Sequence, residues 1–167
     1  YHMFEEMCRC RELFTKFGGH KLAAGLSLKE EHVEEFRRRI NELATLTEED
    51  LTEKVSIDMQ LPIAYLSQKL VEELERLEPF GKGNTKPLFA EKNLRVISPR
   101  ILGKNQNVLK FQVEDARGLR MDAVYFGDVR ACMEYMGQKK RMSFTYYPTV
   151  NEYMGRRSLQ ITVVNYR

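Results

Sequence analysis

The stretch LKFQVEDARGLRMDA, residues 109–123, decides the fold of the second half of this chain. Apolar residues at positions 109, 111 and 113 alternate with polar ones, and the alternation resumes over residues 119–123. A period of two is typical of a β-strand that buries one face in a core. Asp115 to Gly118 provides the residue types of a tight turn between the two runs. The stretch therefore predicts a β-hairpin.

The sequence on either side of this hairpin completes a five-stranded unit. One strand is predicted before it, from residue 88 onward, and two follow it at residues 142–146 and 159–163. Between the hairpin and the last two strands, the run from Asp128 to Met136 has the capping residue and the spacing of a short helix. Three strands, a helix and two strands are the layout of an OB-fold barrel, in which the face of strands 2 and 3 binds oligonucleotides or oligosaccharides.

The first half of the chain has helical spacing instead. Apolar side chains recur at steps of three and four over residues 3–17, which predicts an amphipathic helix that ends at Gly18-Gly19. Residues 29–46 resume the same spacing. The polar, acidic run over residues 47–53 has no period, and we place a domain boundary there.

The segment that joins the two halves is predicted to contain a strand over residues 55–59 and a connecting helix with Pro62 in its first turn and with Leu66, Leu70, Leu74 and Leu77 on one side. The predicted fold class is α+β: a truncated helical subdomain with a Gly-Gly-His loop, the connecting helix, and a five-stranded OB-like barrel. The predicted domains are residues 1–50, residues 51–87 with the strand and connecting helix, and residues 88–167 with the barrel.

Composition places the chain among soluble globular proteins. Of its 167 residues, 43% are apolar and 31% are charged. The sequence contains no run of about 18 apolar residues and no leader with a basic and then an apolar part, which predicts a monomeric cytoplasmic protein without a membrane segment. Three cysteines at uneven spacing predict reduced thiols, because they are too few for a disulfide framework.

The charge of the chain is polarised. Residues 1–91 carry 13 Lys and Arg against 18 Asp and Glu, a net charge of −5. Residues 92–167 carry 14 against 6, a net charge of +8. A basic half joined to an acidic half suggests a polyanion partner such as a nucleic acid, although a solvated basic face is the simpler explanation.

Cations and aromatic rings are mixed in the basic half. Cations that follow phosphates, with rings offered to bases, grip a single strand without recognising its sequence. Lys110 and Arg120 alternate with apolar residues, so both are expected to point outward. The alternative is that these are ordinary surface charges and barrel-edge tyrosines. The candidate contacts are Arg95, Arg100, Lys104, Lys110, Arg117, Arg120, Tyr147, Tyr153, Arg156 and Arg157.

The run FGGHKLAAG, residues 17–25, is the sharpest local motif. Gly18 and Gly19 allow a ligand to approach the backbone closely, and His20 and Lys21 add donors for a phosphate oxygen. The alternative is a Gly-Gly stop followed by a helix cap. The glycines of residues 77–87 match neither a Walker A motif nor a dinucleotide fingerprint, and we interpret that run as a connector anchored by Phe80.

Metal-binding motifs are missing from the sequence. It has neither His-Glu-x-x-His nor Cys-x-x-Cys, and its three histidines are His2, His20 and His32. The sequence predicts no metal site and no cofactor in this chain.

These motifs resemble a known family. The run KFGGHKLAAGLSL, residues 16–28, is similar to the Gly-Gly-His segment of the DHH-associated domain of DHH phosphoesterases. LEPFGKGNTKPLF at residues 77–89, NEYMG at 151–155 and SLQ at 158–160 resemble the RecJ family of single-strand-specific exonucleases, in which an OB-fold follows that domain. The resemblance covers nearly the whole chain.

The resemblance implies a function beyond what the residues alone indicate. Gly18, Gly19 and His20 would contact the substrate backbone near the scissile phosphate, and the β-rich half would bind single-stranded DNA. Mn²⁺ or Mg²⁺ would be held by the DHH domain, which is absent from this chain, so the chain alone is expected to bind a strand rather than to cleave it. The parent protein would be a 5′ to 3′ exonuclease in DNA repair and recombination.

Two other classes of function stay open at this point. One is a protein-interaction module, in which the barrel docks a helicase or a single-strand-binding protein. The other is an oligoribonuclease or cyclic-dinucleotide phosphodiesterase of the same superfamily, which shares the Gly-Gly-His signature but has no need of the barrel.

Overall fold

The computed structural model describes residues 1–52 and 54–167. Glu53, the last residue of the predicted linker, lies outside the described residues. The chain divides into an N-terminal unit, Tyr1–Val55, and a barrel unit, Ser56–Arg167. None of the described helices has the length and the apolar content needed to cross a lipid bilayer.

The N-terminal unit is a β-hairpin covered by short helices. Its elements are α1 (Met3–Cys8), β1 (Phe14–His20), β2 (Ala23–Leu28), α2 (Val33–Leu43) and α3 (Glu48–Leu51). An aromatic cluster holds them together: the ring centroid of Phe14 lies 5.6 Å from that of Phe17 and 5.2 Å from that of Phe36 on α2. Phe4 of α1 stacks on Phe17 at 5.2 Å. Such ring pairs add to the apolar area that the cluster buries.

The predicted helix over residues 3–17 is wrong beyond Cys8, where α1 ends. The chain then enters β1, whose register against β2 shifts between Phe14 and Lys16. A β-bulge of this kind inserts one extra residue, here Thr15, and brings Phe14 and Phe17 to the same side of the strand. A spacing of three that suggested a helix therefore arises from a bulged strand.

The barrel unit begins with a less regular segment than predicted. The strand expected over residues 55–59 is limited to β3 (Met59–Gln60), which pairs in parallel with the start of β4. The connecting helix is α4 (Gln68–Glu75), and Ser67 caps it by accepting a hydrogen bond from the backbone of Leu70. The prediction that Pro62 lies in the first turn of this helix is wrong, because Pro62 precedes a separate short turn, Ile63–Tyr65. The remaining elements are β4 (Phe89–Leu102), β5 (Val108–Glu114), β6 (Arg120–Tyr125), α5 (Val129–Gln138), β7 (Met142–Tyr153) and β8 (Arg156–Tyr166).

The pairing of these strands closes a barrel. β5 lies antiparallel between β4 and β6, β6 pairs in parallel with β8, and β8 pairs antiparallel with β7. β4 bends so that its first part, up to Leu94, pairs with β7 while the part from Arg95 onward pairs with β5. The predicted α+β fold with a five-stranded OB-like barrel is confirmed, including the hairpin of β5 and β6 and the helix between the third and fourth barrel strands.

The interior of the barrel is filled by the side chains that the alternation predicts to point inward. Leu109, Phe111 and Val113 of β5 are almost completely buried. α5 adds Cys132, which is also buried, and this burial raises the pKa of its thiol to about 12. The thiol therefore stays protonated and acts as a small apolar group.

Hydrogen bonds tie the segment before α4 to the barrel wall. The buried hydroxyl of Tyr146 donates to the carbonyl of Leu61. The carboxylate of Glu91 accepts a hydrogen bond from the backbone N–H of Ile63 at 2.7 Å. Burial raises the pKa of Glu91, and the bond from Ile63 opposes this shift only in part.

The raised pKa of Glu91 leads to a prediction about pH. A group whose pKa is higher in the folded state favours folding in its protonated form, so its contribution is largest at low pH and is lost as the pH rises through the folded-state pKa. Glu91→Gln keeps an acceptor for Ile63 without the charge. We expect this variant to be more stable than the parent chain at pH 7, by less than about 1 kcal/mol, and the difference to vanish at acidic pH.

Urea denaturation at neutral and acidic pH measures this difference. Glu152→Gln, at an exposed glutamate on β7, is the matched control and should leave stability unchanged at both pH values. A Glu91→Gln variant that is less stable than the parent chain at pH 7 would contradict the assignment.

Candidate nucleic-acid interface

The outer face of the barrel carries the polar half of each alternating strand. Lys110, Gln112 and Glu114 of β5 project outward between the buried residues of the same strand. On β6, Arg120 has 56% of its side chain exposed. Both cations singled out in the hairpin therefore point outward, as predicted.

Cross-strand pairing joins residues of five strands into one row. Arg100 lies opposite Lys110, Lys110 opposite Val124, Val124 opposite Thr162, and Thr162 opposite Tyr147. Directly opposite residues share the outer surface of the sheet, and strands lie about 4.8 Å apart, so the row follows the outside of the closed barrel for about 19 Å. We call these five residues the cationic row. It has two cations at the β4 end and an aromatic ring at the β7 end.

A second row of polar residues runs beside it. Gln112 lies opposite Asp122, Asp122 opposite Gln160, and Gln160 opposite Thr149. The amide nitrogen of Gln112 donates to Asp122 at 2.9 Å, and the ammonium of Lys110 lies 3.3 Å from the same carboxylate. Asp122 thus fixes the head of Lys110 and offsets part of its charge.

Glu114 gathers further cations at the end of β5. Arg120 donates to its carboxylate at 2.7 Å, and the guanidinium of Arg95 lies at 3.5 Å. The hydrogen bond from Arg120, with the charges of Arg95 and Arg141, lowers the pKa of Glu114. Arg95 and Arg120 are therefore brought together, but one carboxylate offsets part of their charge.

The other candidate contacts lie at the two ends of the barrel face. Lys104 is exposed in the loop between β4 and β5. β7 and β8 stay paired beyond Gln160, the first residue of β8 that pairs with β6, and form a ribbon with Tyr153 opposite Arg156. Tyr153 lies six residues from Tyr147 on the same strand, so parity places both rings on one face.

Arg157 and Arg117 do not join this face. Arg157 has the opposite parity from Arg156 on β8, and its guanidinium lies 3.9 Å from Glu72 of α4. Arg117 is in the turn of the β5–β6 hairpin, where its backbone N–H donates to Asp115. Among the described residues, Arg100, Lys104 and Arg156 have no carboxylate within 4.0 Å.

The structure adds one residue to the candidate interface, Lys86, which the sequence analysis had placed in the connector. The ammonium of Lys86 lies 5.0 Å from the ring centroid of Tyr147 and 5.8 Å from that of Phe80. The connector therefore reaches the β7 end of the cationic row. No periodic signal marks this contact, because it depends on how a loop folds back onto the barrel.

The Gly-Gly-His segment is a strand rather than the predicted loop, and no helix starts after it. Gly18, Gly19 and His20 end β1, and the chain reverses through Lys21 and Leu22 into β2. The ring of His20 accepts a hydrogen bond from the backbone N–H of Leu22 at 3.3 Å. His20 and Lys21 are therefore exposed at the tip of a hairpin, available to a ligand in solution.

Gly19 is required by close packing within this hairpin. A Cβ atom at Gly19 would lie 2.5 Å from the carbonyl oxygen of Ala23 and 2.6 Å from the Cα of Ala24. At Gly18 an added Cβ would have no neighbour within 4 Å. The two glycines thus differ. Gly19 allows β1 and β2 to approach each other closely, whereas the backbone of Gly18 is accessible to a ligand.

Mn²⁺ and Mg²⁺ do not fit the residues present in the described part of the chain. No three His, Cys, Asp or Glu side chains in residues 1–52 and 54–167 are grouped closely enough to hold a metal ion. The carboxylates of Glu91, Glu114, Asp115 and Asp122 are engaged by arginine, lysine or backbone N–H groups. We derive no catalytic step through a metal in this chain.

Comparison with known proteins identifies the family. Residues 57–165, more than half of the chain, match the family model of the RecJ OB domain. The chain belongs to the RecJ family. The match begins within the barrel unit, shortly before β3, and continues to Asn165, the last but one residue of β8.

Curated RecJ proteins match over nearly the whole chain. It is 30% identical to the single-stranded-DNA-specific exonuclease RecJ of Bacillus subtilis over 98% of the chain and 21% of that protein. It is 32% identical to the RecJ of Escherichia coli over 98% of the chain and 29% of that protein. The chain therefore spans less than a third of the length of these RecJ relatives.

A solved RecJ structure has the same fold. The crystal structure of Thermus thermophilus RecJ in complex with Mg²⁺ superposes with a TM-score of 0.77 at 24% identity, covering 98% of this chain and 24% of that one. The hairpin and the OB-like barrel of this chain are therefore shared with RecJ.

Proposed function

We propose that this chain is the strand-binding part of a RecJ-type exonuclease that degrades single-stranded DNA from the 5′ end. Membership of the RecJ family supports this proposal, and its curated relatives are named for that activity. The observation that carries it is the cationic row, which runs around the outside of the barrel with Arg100 and Lys110 at its β4 end and the Tyr147 ring at its β7 end.

The row supplies the two interactions that hold a single strand. Arg100 and Lys110 would contact phosphates, with Lys104 and Arg156 extending the track at either end. Tyr147 and Tyr153 would stack on bases, which is sequence-tolerant because every base has a π-face. The second row, with Gln112, Asp122 and Gln160, would face the DNA between the phosphate contacts and the stacked bases.

The hairpin of the N-terminal unit would contribute to cleavage in the parent enzyme. Exposed at the tip of the hairpin, His20 and Lys21 can donate to a phosphodiester, and Gly18 offers unobstructed backbone. We place this contact near the scissile phosphate, where donors stabilise the charge that develops during hydrolysis. The metal ions of that reaction, Mn²⁺ or Mg²⁺, would be held by a DHH domain outside this chain.

The cellular setting follows from the same proposal. An exonuclease specific for single strands would act in DNA repair and recombination in the cytoplasm. A helicase that unwinds DNA, or a single-strand-binding protein that coats it, is a partner that could deliver this substrate.

Binding to oligo-dT tests the proposal. With at least four phosphate contacts and a slope of about 0.7 per contact for single strands, we expect affinity for an oligo-dT of about 16 nucleotides to fall by about 50-fold or more between about 50 and 200 mM salt. Fluorescence anisotropy at several salt concentrations gives the slope. A double-stranded oligonucleotide of the same length is the control and should bind more weakly.

A different outcome would favour the protein-interaction module. In that case the chain would bind no oligonucleotide at low salt and would still capture a purified helicase or single-strand-binding protein in the presence of nuclease. Affinity for oligo-dT that does not depend on salt would also overturn the proposal.

A further inference from the structure

The connector between α4 and β4 builds an aromatic slot at the β7 end of the cationic row. The ammonium of Lys86 lies 5.8 Å from the ring centroid of Phe80 in the connector and 5.0 Å from that of Tyr147 on β7, and we call the space at these two rings the slot. A lysine ammonium within about 6 Å of a ring centroid is attracted to the face of the ring. The slot formed by Phe80 and Tyr147 is thus occupied by a cation of the same chain.

Backbone and side-chain hydrogen bonds hold the connector in this shape. Gly81 and Asn84 exchange backbone hydrogen bonds of 2.8 and 3.1 Å. The amide of Asn84 also donates to the carbonyls of Leu77 at 2.7 Å and Pro79 at 3.1 Å. Phe80 is therefore fixed in place before any ligand arrives, so that a ligand would not have to order this loop.

A cavity of about 160 Å³ lies directly beside the slot. A buried apolar cavity of about 150 Å³ is enough to hold a benzene ring, so this one matches a single aromatic ring. Phe80 and Lys86 line it together with the apolar side chains of Val71, Leu74, Pro87, Pro148 and Val150.

The charges around the cavity select which part of a nucleotide can enter. Glu75 and Glu78 line it, and their carboxylates would repel a phosphate. An uncharged base meets no such repulsion. Lys86 has no carboxylate within 4.0 Å among the described residues, so its ammonium is free to leave the rings for a phosphate when a base replaces it.

We propose that the Phe80–Tyr147 slot is a stacking subsite for one nucleobase of the bound strand, and that Lys86 is a removable plug which then binds the adjacent phosphate. This inference rests on the proposed function and extends it to the connector. A base at the two rings would exchange two cation–π contacts for two stacking contacts, while the displaced ammonium would gain a charge-assisted hydrogen bond.

Three variants separate the two roles. Phe80→Leu removes one ring and keeps an apolar side chain, and we expect it to weaken oligo-dT binding about tenfold with an unchanged salt slope. Lys86→Met keeps the aliphatic stem, and we expect it to lower the salt slope by about 0.7. Lys82→Met removes the same charge from the same loop without a ring contact and is the matched control, with the parent affinity and slope.

Photocrosslinking shows directly where the base lies. Oligo-dT that carries one 5-iododeoxyuridine is bound to the full chain and irradiated, and the adducts are mapped by mass spectrometry. Adducts at Phe80 or Tyr147 that disappear in Phe80→Leu support the subsite. Adducts confined to other residues, or a Phe80→Leu variant with the parent affinity, overturn it.

The experiment distinguishes the two proposals when one of them fails. If the parent chain binds oligo-dT with a steep salt dependence while Phe80→Leu and Lys86→Met behave like Lys82→Met, the subsite is wrong and the barrel interface stands. If the parent chain does not bind oligo-dT at all, the proposed function fails and the subsite with it. If the slot binds a protein partner instead of a base, Phe80→Leu and Lys86→Met would likewise bind oligo-dT as Lys82→Met does.

Discussion

The double variant Arg100→Ala, Lys110→Ala is expected to bind single-stranded DNA about a hundredfold more weakly than the parent chain. Each residue would lose one charge-assisted hydrogen bond to a phosphate, worth about 1.5 kcal/mol or more, and about 1.4 kcal/mol corresponds to a factor of ten. Removal of Lys110 also leaves the carboxylate of Asp122 without the ammonium at 3.3 Å, which adds repulsion toward the strand. The salt slope should fall by about 1.4, because two phosphate contacts are lost.

A control variant that loses the same charge elsewhere separates the contribution of the cationic row from the effect of lower net charge. Lys139 and Lys140 lie at the end of α5 and in the turn before β7, outside the cationic row. Lys139→Ala, Lys140→Ala should retain the parent affinity within about threefold, since distant charges are screened at physiological salt. Anisotropy titrations with oligo-dT measure both variants. Equal weakening by the two pairs would show that binding depends on overall charge, and would contradict a strand held along the row.

The outward direction of Lys110 could be predicted from the sequence because strand parity fixes it. The pairing of Arg100 with Lys110 could not. The register of β4 against β5 shifts between Ile97 and Arg100, and one residue of slip reverses the face of every side chain beyond it. Alternation along β4 alone would have placed Arg100 on the inner face, and the shift in register places it on the outer face opposite Lys110.

The local sequence pattern also could not predict which carboxylates pair with the candidate cations. Asp122 and Arg120 have the same parity on β6, so both were expected to point outward, but the contact between Lys110 and Asp122 depends on the register of the β5–β6 hairpin. The same holds for Arg157, whose contact with Glu72 requires α4 to lie beside the β7–β8 ribbon. Local sequence therefore gives the candidates, and the topology decides which of them remain without a carboxylate partner.

The Gly-Gly-His hairpin illustrates a different limit. The bulge at Thr15 gave β1 an apolar spacing that a helix shares, so the period alone could not distinguish the two. In β2, the alternation of Leu26, Ser27 and Leu28 indicates only a short strand, and the small residues before it carry no period. Pairing between β1 and β2 settles the structure, because it satisfies the backbone groups of a segment that has few side chains to bury.

Gly19→Ala is expected to disrupt this hairpin, whereas Gly18→Ala should be tolerated. The added methyl group at Gly19 would overlap the carbonyl oxygen of Ala23 and the backbone of Ala24, both within 2.6 Å, so the strands must separate. Forcing extra atoms into a closely packed site costs about 1–3 kcal/mol, and we expect the upper end because the overlap is with backbone rather than a flexible side chain. The methyl group at Gly18 meets nothing within 4 Å.

Hydrogen exchange measures the difference without depending on the barrel unit. Backbone amides of β1 and β2 should lose up to about a hundredfold of their protection in Gly19→Ala, while amides of β5 and β6 stay unchanged. Gly18→Ala should match the parent chain or gain slightly, since replacing glycine restricts the unfolded chain. Because the two substitutions add the same methyl group one residue apart, equal protection in both variants would show that close approach at Gly19 does not hold the hairpin, and that His20 is positioned by other contacts.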